Sequence, residues 1–138
     1  MEDIVEDAKK VEKLYKDVVE ENLRLREQEP IKIWLRPLSY PIEKAITLGV
    51  YRETYKLMIE AGQSEKDAEY SGYMAMVLQT LFFVIRKGPE DKSPRLFEST
   101  RKIGSVMPDE QNRLFEVFHD SFEMTEEELG NSLRARTN

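Results

Sequence analysis

From Glu2 to Glu27 the chain has neither proline nor glycine, and apolar residues fall at Ile4, Ala8, Val11, Tyr15, Val18 and Leu25. Asn22 fills the one gap in this alternating four-three spacing. Residues so spaced line one side of a helix and form a coiled-coil seam. The charges agree: Glu2, Asp3, Glu6 and Asp7 sit at the end where the helix dipole is positive, and Arg24 and Arg26 at the other. Glu6 with Lys10, Glu12 with Lys16, and Glu20 with Arg24 make well-oriented i,i+4 pairs. The pattern predicts one long amphipathic helix over residues 1–29, ended by Pro30, because the residue before a proline is pushed out of the α region.

The period then changes. Ile31-Lys32-Ile33-Trp34-Leu35-Arg36 alternates apolar and polar residues between two prolines, which predicts a short extended segment with one packed face. With no partner strand evident, it is expected to pair with another copy or to lie along the helices. Helical spacing resumes at Leu48, Tyr51, Tyr55 and Met58, after Ser39 as N-cap and Pro41 in the first turn, and stops near Gly62. Ser64 and Asp67 form a capping-box-like start for a third helix reaching about Lys87. That helix is apolar nearly all round from Tyr73 to Ile85, so it is expected at the centre of the fold. A polar turn over Gly88–Pro94 leads to Leu96 and Phe97, which re-enter the core. Ser99 then caps a short helix to about Val106, and Pro108-Asp109-Glu110 opens the last one. That last helix carries a stripe at Phe115, Phe118 and Phe122, which either packs inward or stays partly open to a partner.

The expected fold class is therefore all-α. A compact helical domain of about four helices spans 30–124, preceded by the heptad helix of 1–29 and the short extended segment, and followed by a flexible tail over 125–138. The 138 residues suit a single core. A net charge of −6 gives no general attraction to nucleic acid or an anionic membrane. No apolar run approaches the roughly 20 residues that cross a bilayer. The charged start lacks the features of a secretory signal, so a cytoplasmic location is expected, in the host cell if the protein is viral.

Chemistry is sparse. Cysteine is absent, which removes thiol catalysis, disulfides and thiolate metal sites. His119, the one histidine, lies near Glu116, Asp120 and Glu123, but the Glu-x-x-His arrangement of di-iron helical sites needs two copies. A solvated histidine is expected. Ser39, Ser64 and Ser99 are accounted for as caps, and Gly62, Gly88 and Gly104 are isolated rather than a phosphate-cradling run. The expectation is a non-enzymatic protein without metal, cofactor or small-molecule substrate. Its two candidate binding surfaces are the self-association seam at Ile4, Ala8, Val11, Tyr15, Val18 and Leu25, docking in cis or in trans, and a client surface at Phe115, Phe118 and Phe122.

From about Arg36 to Phe122 the chain resembles the tail assembly chaperones of long-tailed bacteriophages. The resemblance is carried by Arg36-Pro37-Leu38-Ser39, by the break at Gly62 before Ser64, and by the apolar run Leu81-Phe82-Phe83-Val84-Ile85-Arg86-Lys87. Pro94-Arg95-Leu96-Phe97-Glu98-Ser99 and the helix opened by Pro108-Asp109-Glu110, with Leu114 and Phe118, complete it. The helix before Pro30 is not part of that pattern. The resemblance implies many copies binding the tape measure protein, keeping its apolar helices soluble during tail assembly. It also implies a longer form made by ribosomal frameshifting near the gene's end. The alternative is a structural or adaptor protein of the virion that oligomerises through its N-terminal helix.

Overall fold

The computed structural model describes residues 18–122. Strands β1 (Val19–Leu23) and β2 (Ile31–Leu35) come first, then helices α1 (Ile42–Glu60) and α2 (Glu65–Val84) and a two-residue strand, β3 (Ile85–Arg86). Helices α3 (Thr100–Ile103) and α4 (Pro108–Phe122) complete the order. The strands form one antiparallel sheet in the order β1-β2-β3.

The fold is therefore α+β, and the all-α expectation is overturned at Val19–Leu23. Where one helix was expected over residues 1–29, Val19–Leu23 forms a strand that pairs with β2, Val19 opposite Leu35 and Leu23 opposite Ile31. The same residues fit both periods. Val19 and Leu23 turn inward while Glu20 and Asn22 are exposed, an alternation hidden behind the four-three spacing of Val18, Asn22 and Leu25. A neighbouring strand decides between the two, as β structure depends on cross-strand packing more than on intrinsic preference. The connection turns at Glu27, whose φ of 60° lies in the left-handed region. Ile4, Ala8, Val11 and Tyr15 lie outside the described residues, as does the tail over 125–138. Val18 precedes β1, and Leu25 follows it, half-buried against the core.

The extended segment at Ile31–Leu35 forms as its alternation predicts, but its partners are β1 and β3 of the same chain rather than another copy. Helix α2 stops at Val84, short of Lys87, because Ile85 and Arg86 go extended and pair with Leu35 and Trp34. Past a polar turn, Lys87 N–H donates to Pro94 O and Leu96 N–H to Ile85 O, so the chain returns alongside β3.

Helix ends follow local rules with one exception. Ser64 Oγ accepts from the Asp67 N–H at 3.2 Å and Ser99 Oγ from the Lys102 N–H at 3.4 Å, each an N-cap. Gly62, at φ 93°, ends α1 with its N–H on Ile59 O, the left-handed conformation glycine adopts without a Cβ clash. The exception is Ser39. Its side chain does not cap α1; Pro41 holds the cap position, and the Ser39 N–H donates instead to Glu43 Oε1 at 2.8 Å.

Leu23, Ile33, Leu35 and Ile85 of the sheet share one core with Val77, Leu81 and Val84 of α2, Ile103 of α3, and Leu114 and Phe118 of α4. Helix α2 is central: Ala68, Gly72, Val77, Thr80, Leu81, Phe83 and Val84 are all buried. Gly72 permits the close approach of α1, since a Cβ there would lie 3.0 Å from Tyr51 O and 3.1 Å from the Tyr51 ring.

Candidate protein-binding site

Helix α4 is fastened to the sheet edge by one buried carboxylate. Glu110 accepts from Arg113 Nε at 2.7 Å and Arg113 Nη2 at 2.9 Å, and also from the Arg24 backbone N–H. Arg113 Nη2 in turn donates to Asn22 O at 2.6 Å, and its Nη1 lies 3.3 Å from Glu21 Oε1. Burial pushes the Glu110 carboxyl up, but the hydrogen bonds from Arg113 and Arg24 and the nearby positive charges outweigh it, and its pKa falls below the ordinary value. The same contacts occupy backbone groups on the open side of β1, where an unpaired edge would otherwise invite another strand.

So placed, α4 turns its phenylalanines toward α2. Phe118 is 1% exposed and belongs to the core. Phe115 and Phe122 are half-buried and meet it in tilted contacts, with ring centroids 6.1 and 5.7 Å away. Phe115 also meets Tyr73 edge-on at 5.9 Å and lines an open cleft of about 680 Å³ between α1, α2 and α4. The Thr47 and Thr80 hydroxyls donate to Lys44 O and Met76 O, each at 2.8 Å, so they are committed to the helix backbone and leave methyl groups for the cleft wall. Glu116, His119 and Asp120 stand along the α4 side.

His119 is half-exposed, with Nδ1 3.8 Å from Asp120 Oδ1. Among the described residues no three His, Cys, Asp or Glu side chains gather where they could hold a metal ion. The cleft sets Leu38, Met76 and the rings of Tyr73 and Phe115 beside Lys44 of α1 and Glu116, His119 and Asp120 of α4, so it offers both apolar contact and charge of either sign.

A second surface lies on α1 and went unread in the sequence. This helix of 19 residues buries only Thr47 fully. Ile42, Ile46, Val50 and Leu57 recur four, four and seven residues apart, so they share one side of it, turned away from Tyr51 and its contact with α2. Ile42 is 68% and Leu57 53% exposed, and Ile46 is also exposed. Gly49 lies beside this stripe, and a Cβ added there would meet nothing within 4 Å. Mid-helix glycine costs about 1 kcal/mol relative to alanine, and among the described residues no close approach accounts for it. The available signal was the second set of apolar positions on α1, out of phase with Tyr51, Tyr55 and Met58.

Compared with protein-family models, with curated proteins and with solved structures, the chain finds no match. No described helix is long and apolar enough to cross a membrane.

Proposed function

We propose that this protein is a non-enzymatic assembly chaperone of the phage-tail type, which binds apolar helices of the tape measure protein and keeps them soluble before the tail tube closes around them. The observation carrying this reading is the α1 stripe: Ile42, Ile46 and Leu57 stand open to solvent on a helix that packs mainly against α2. A contiguous apolar stripe of this kind is the expected surface for a partner helix, with anchors about one turn apart. The Phe115 cleft adds a recess for a larger side chain. Contacts of this kind are reversible, as a client destined for release requires.

The alternative, a virion adaptor that oligomerises through a long N-terminal helix, has less support, because Val19–Leu23 of that element is strand. Co-expression with the tape measure protein tests the proposal. The expected result is a co-purifying complex and a larger soluble fraction of client, both lost in an Ile42→Ser, Leu57→Ser double variant that keeps the wild-type circular dichroism spectrum. A strictly monomeric protein that leaves the client's solubility unchanged would overturn it.

A further inference from the structure

The inner face of the sheet is covered by helices, with Leu23, Ile33, Leu35 and Ile85 in the core. Alternation along β2 places Lys32 and Trp34 on the other face. Trp34, the only tryptophan in the chain, is half-buried yet forms no part of the core cluster. Across the ladder it lies between Glu20 of β1 and Arg86 of β3. Arg36 follows two residues along, its N–H on Val84 O.

The cations around Trp34 differ in how they are satisfied. Lys32 pairs with Glu20 at 2.9 Å. Arg95, bridged to Arg86, lies 3.4 Å from Glu43 and over the rings of Phe82 and Phe83 at 4.8 and 5.0 Å. Among the described residues, Arg36 and Arg86 donate hydrogen bonds to carbonyl oxygens and form no ion pair. Arg36 Nη1 donates to Asp91 O at 2.5 Å, and Arg86 donates through Nε to Phe83 O at 3.1 Å and through Nη1 to Ser93 O at 3.0 Å. Glu90 and Asp91 share a water-sized crevice of about 10 Å³ with both arginines, but Glu90 Oε2 is taken by Ser93 Oγ at 3.0 Å. Neither carboxylate forms an ion pair with Arg36 or Arg86.

We propose that the outer face of the sheet at Trp34, Arg36 and Arg86 docks an acidic segment of a partner protein, a carboxylate engaging the two guanidiniums and an adjoining apolar side chain lying on the indole. The occupant follows from charge complementarity. The two arginines are oriented in advance by backbone carbonyls and keep further N–H donors, whose planar fork matches a carboxylate. Burial and then the neighbouring Arg36 and Arg95 charges hold Arg86 below the usual arginine range, the Glu43 carboxylate offsetting them only in part, and a partner's carboxylate would relieve the remaining repulsion. Tryptophan and arginine are also the side chains that most often anchor protein interfaces. A net charge of −6 weighs against nucleic acid as the polyanion. Glu43 of α1 reaches Arg95 at the margin of this surface, but Ile42, Ile46 and Leu57 take no part in it, and the inference does not rest on the chaperone reading.

The test is fluorescence anisotropy with a labelled decapeptide of alternating leucine and glutamate, a leucine–lysine counterpart, and a single-stranded DNA oligonucleotide. The expected result is salt-sensitive binding of the acidic peptide alone. Arg36→Glu, Arg36→Gln and Trp34→Ala should each weaken it at least tenfold, while the charge-matched Lys66→Glu changes it less than twofold. Circular dichroism and melting temperature establish that each variant is folded; if one is not, the others decide. Equal binding of the basic peptide, binding of DNA in place of the acidic peptide, no binding at all, or insensitivity to the folded variants would each overturn the proposal.

Discussion

Glu110 is a carboxylate in a place where burial alone would favour its neutral form, and Arg113 together with the Arg24 N–H reverses that preference. A group whose pKa falls on folding contributes stability that is fully present above its unfolded value, near 4.5, and is lost as pH drops through the folded value. Chemical denaturation followed from pH 7 downward should therefore show stability falling below about pH 4.5, and Glu110→Gln should flatten this dependence. At pH 7 the same substitution should cost about 1.5–3 kcal/mol, the range for a hydrogen bond to a charged group. The two mid-helix glycines should respond in opposite directions. Gly49→Ala has free space and should stabilise by about 0.5–1 kcal/mol in thermal melts. Gly72→Val must push against Tyr51 and should destabilise by about 1–3 kcal/mol. If Gly49→Ala nonetheless weakens client capture, the missing Cβ serves the interface rather than the fold.

At the scale of elements, the phenylalanine stripe divides into parts with different duties. Phe118→Ala should cost about 3–5 kcal/mol, as for other fully buried aromatic truncations. Phe115→Ala removes a half-buried cleft wall and should cost clearly less in urea titrations while weakening client binding. That division was only partly readable beforehand. The helices around Met58, Val77 and Leu114 announced themselves through spacing, and Ser64 and Ser99 through their caps, because those signals are local. Strand β1 did not, because Val18 to Leu25 satisfies a heptad and a two-residue alternation at once, and its partner begins at Ile31 beyond a turn. Trp34 was counted with an extended segment, but which face it occupied depended on β3, whose two residues read as the end of a helix. Of the candidate surfaces, Phe115 was visible as part of a stripe. The α1 stripe was hidden by the assumption that one apolar face, that of Tyr51 and Met58, exhausted the helix.

At the scale of the molecule, the elements differ in how many neighbours hold them. Helix α2 packs against α1, α3 and α4 and contributes Val77, Leu81, Phe83 and Val84 to the core. Helix α4 is tied to α2 by Leu114 and Phe118 and to β1 by the Glu110 and Arg113 bonds. Helix α1 packs principally against α2, buries Thr47 as its one fully enclosed residue, and spends glycine at position 49. Local opening follows the number of buried contacts, so α1 should detach before the rest unfolds. Hydrogen exchange under native conditions should show α1 amides exchanging through a partial opening with lower free energy than the amides of α2 and β2, which should exchange only on global unfolding. Client binding across Ile42, Ile46 and Leu57 would supply the missing neighbour and raise α1 protection selectively. Protection of α1 equal to that of α2 in the free protein would mean the stripe is already covered by another copy of the chain, and the concentration dependence of exchange would then reveal it.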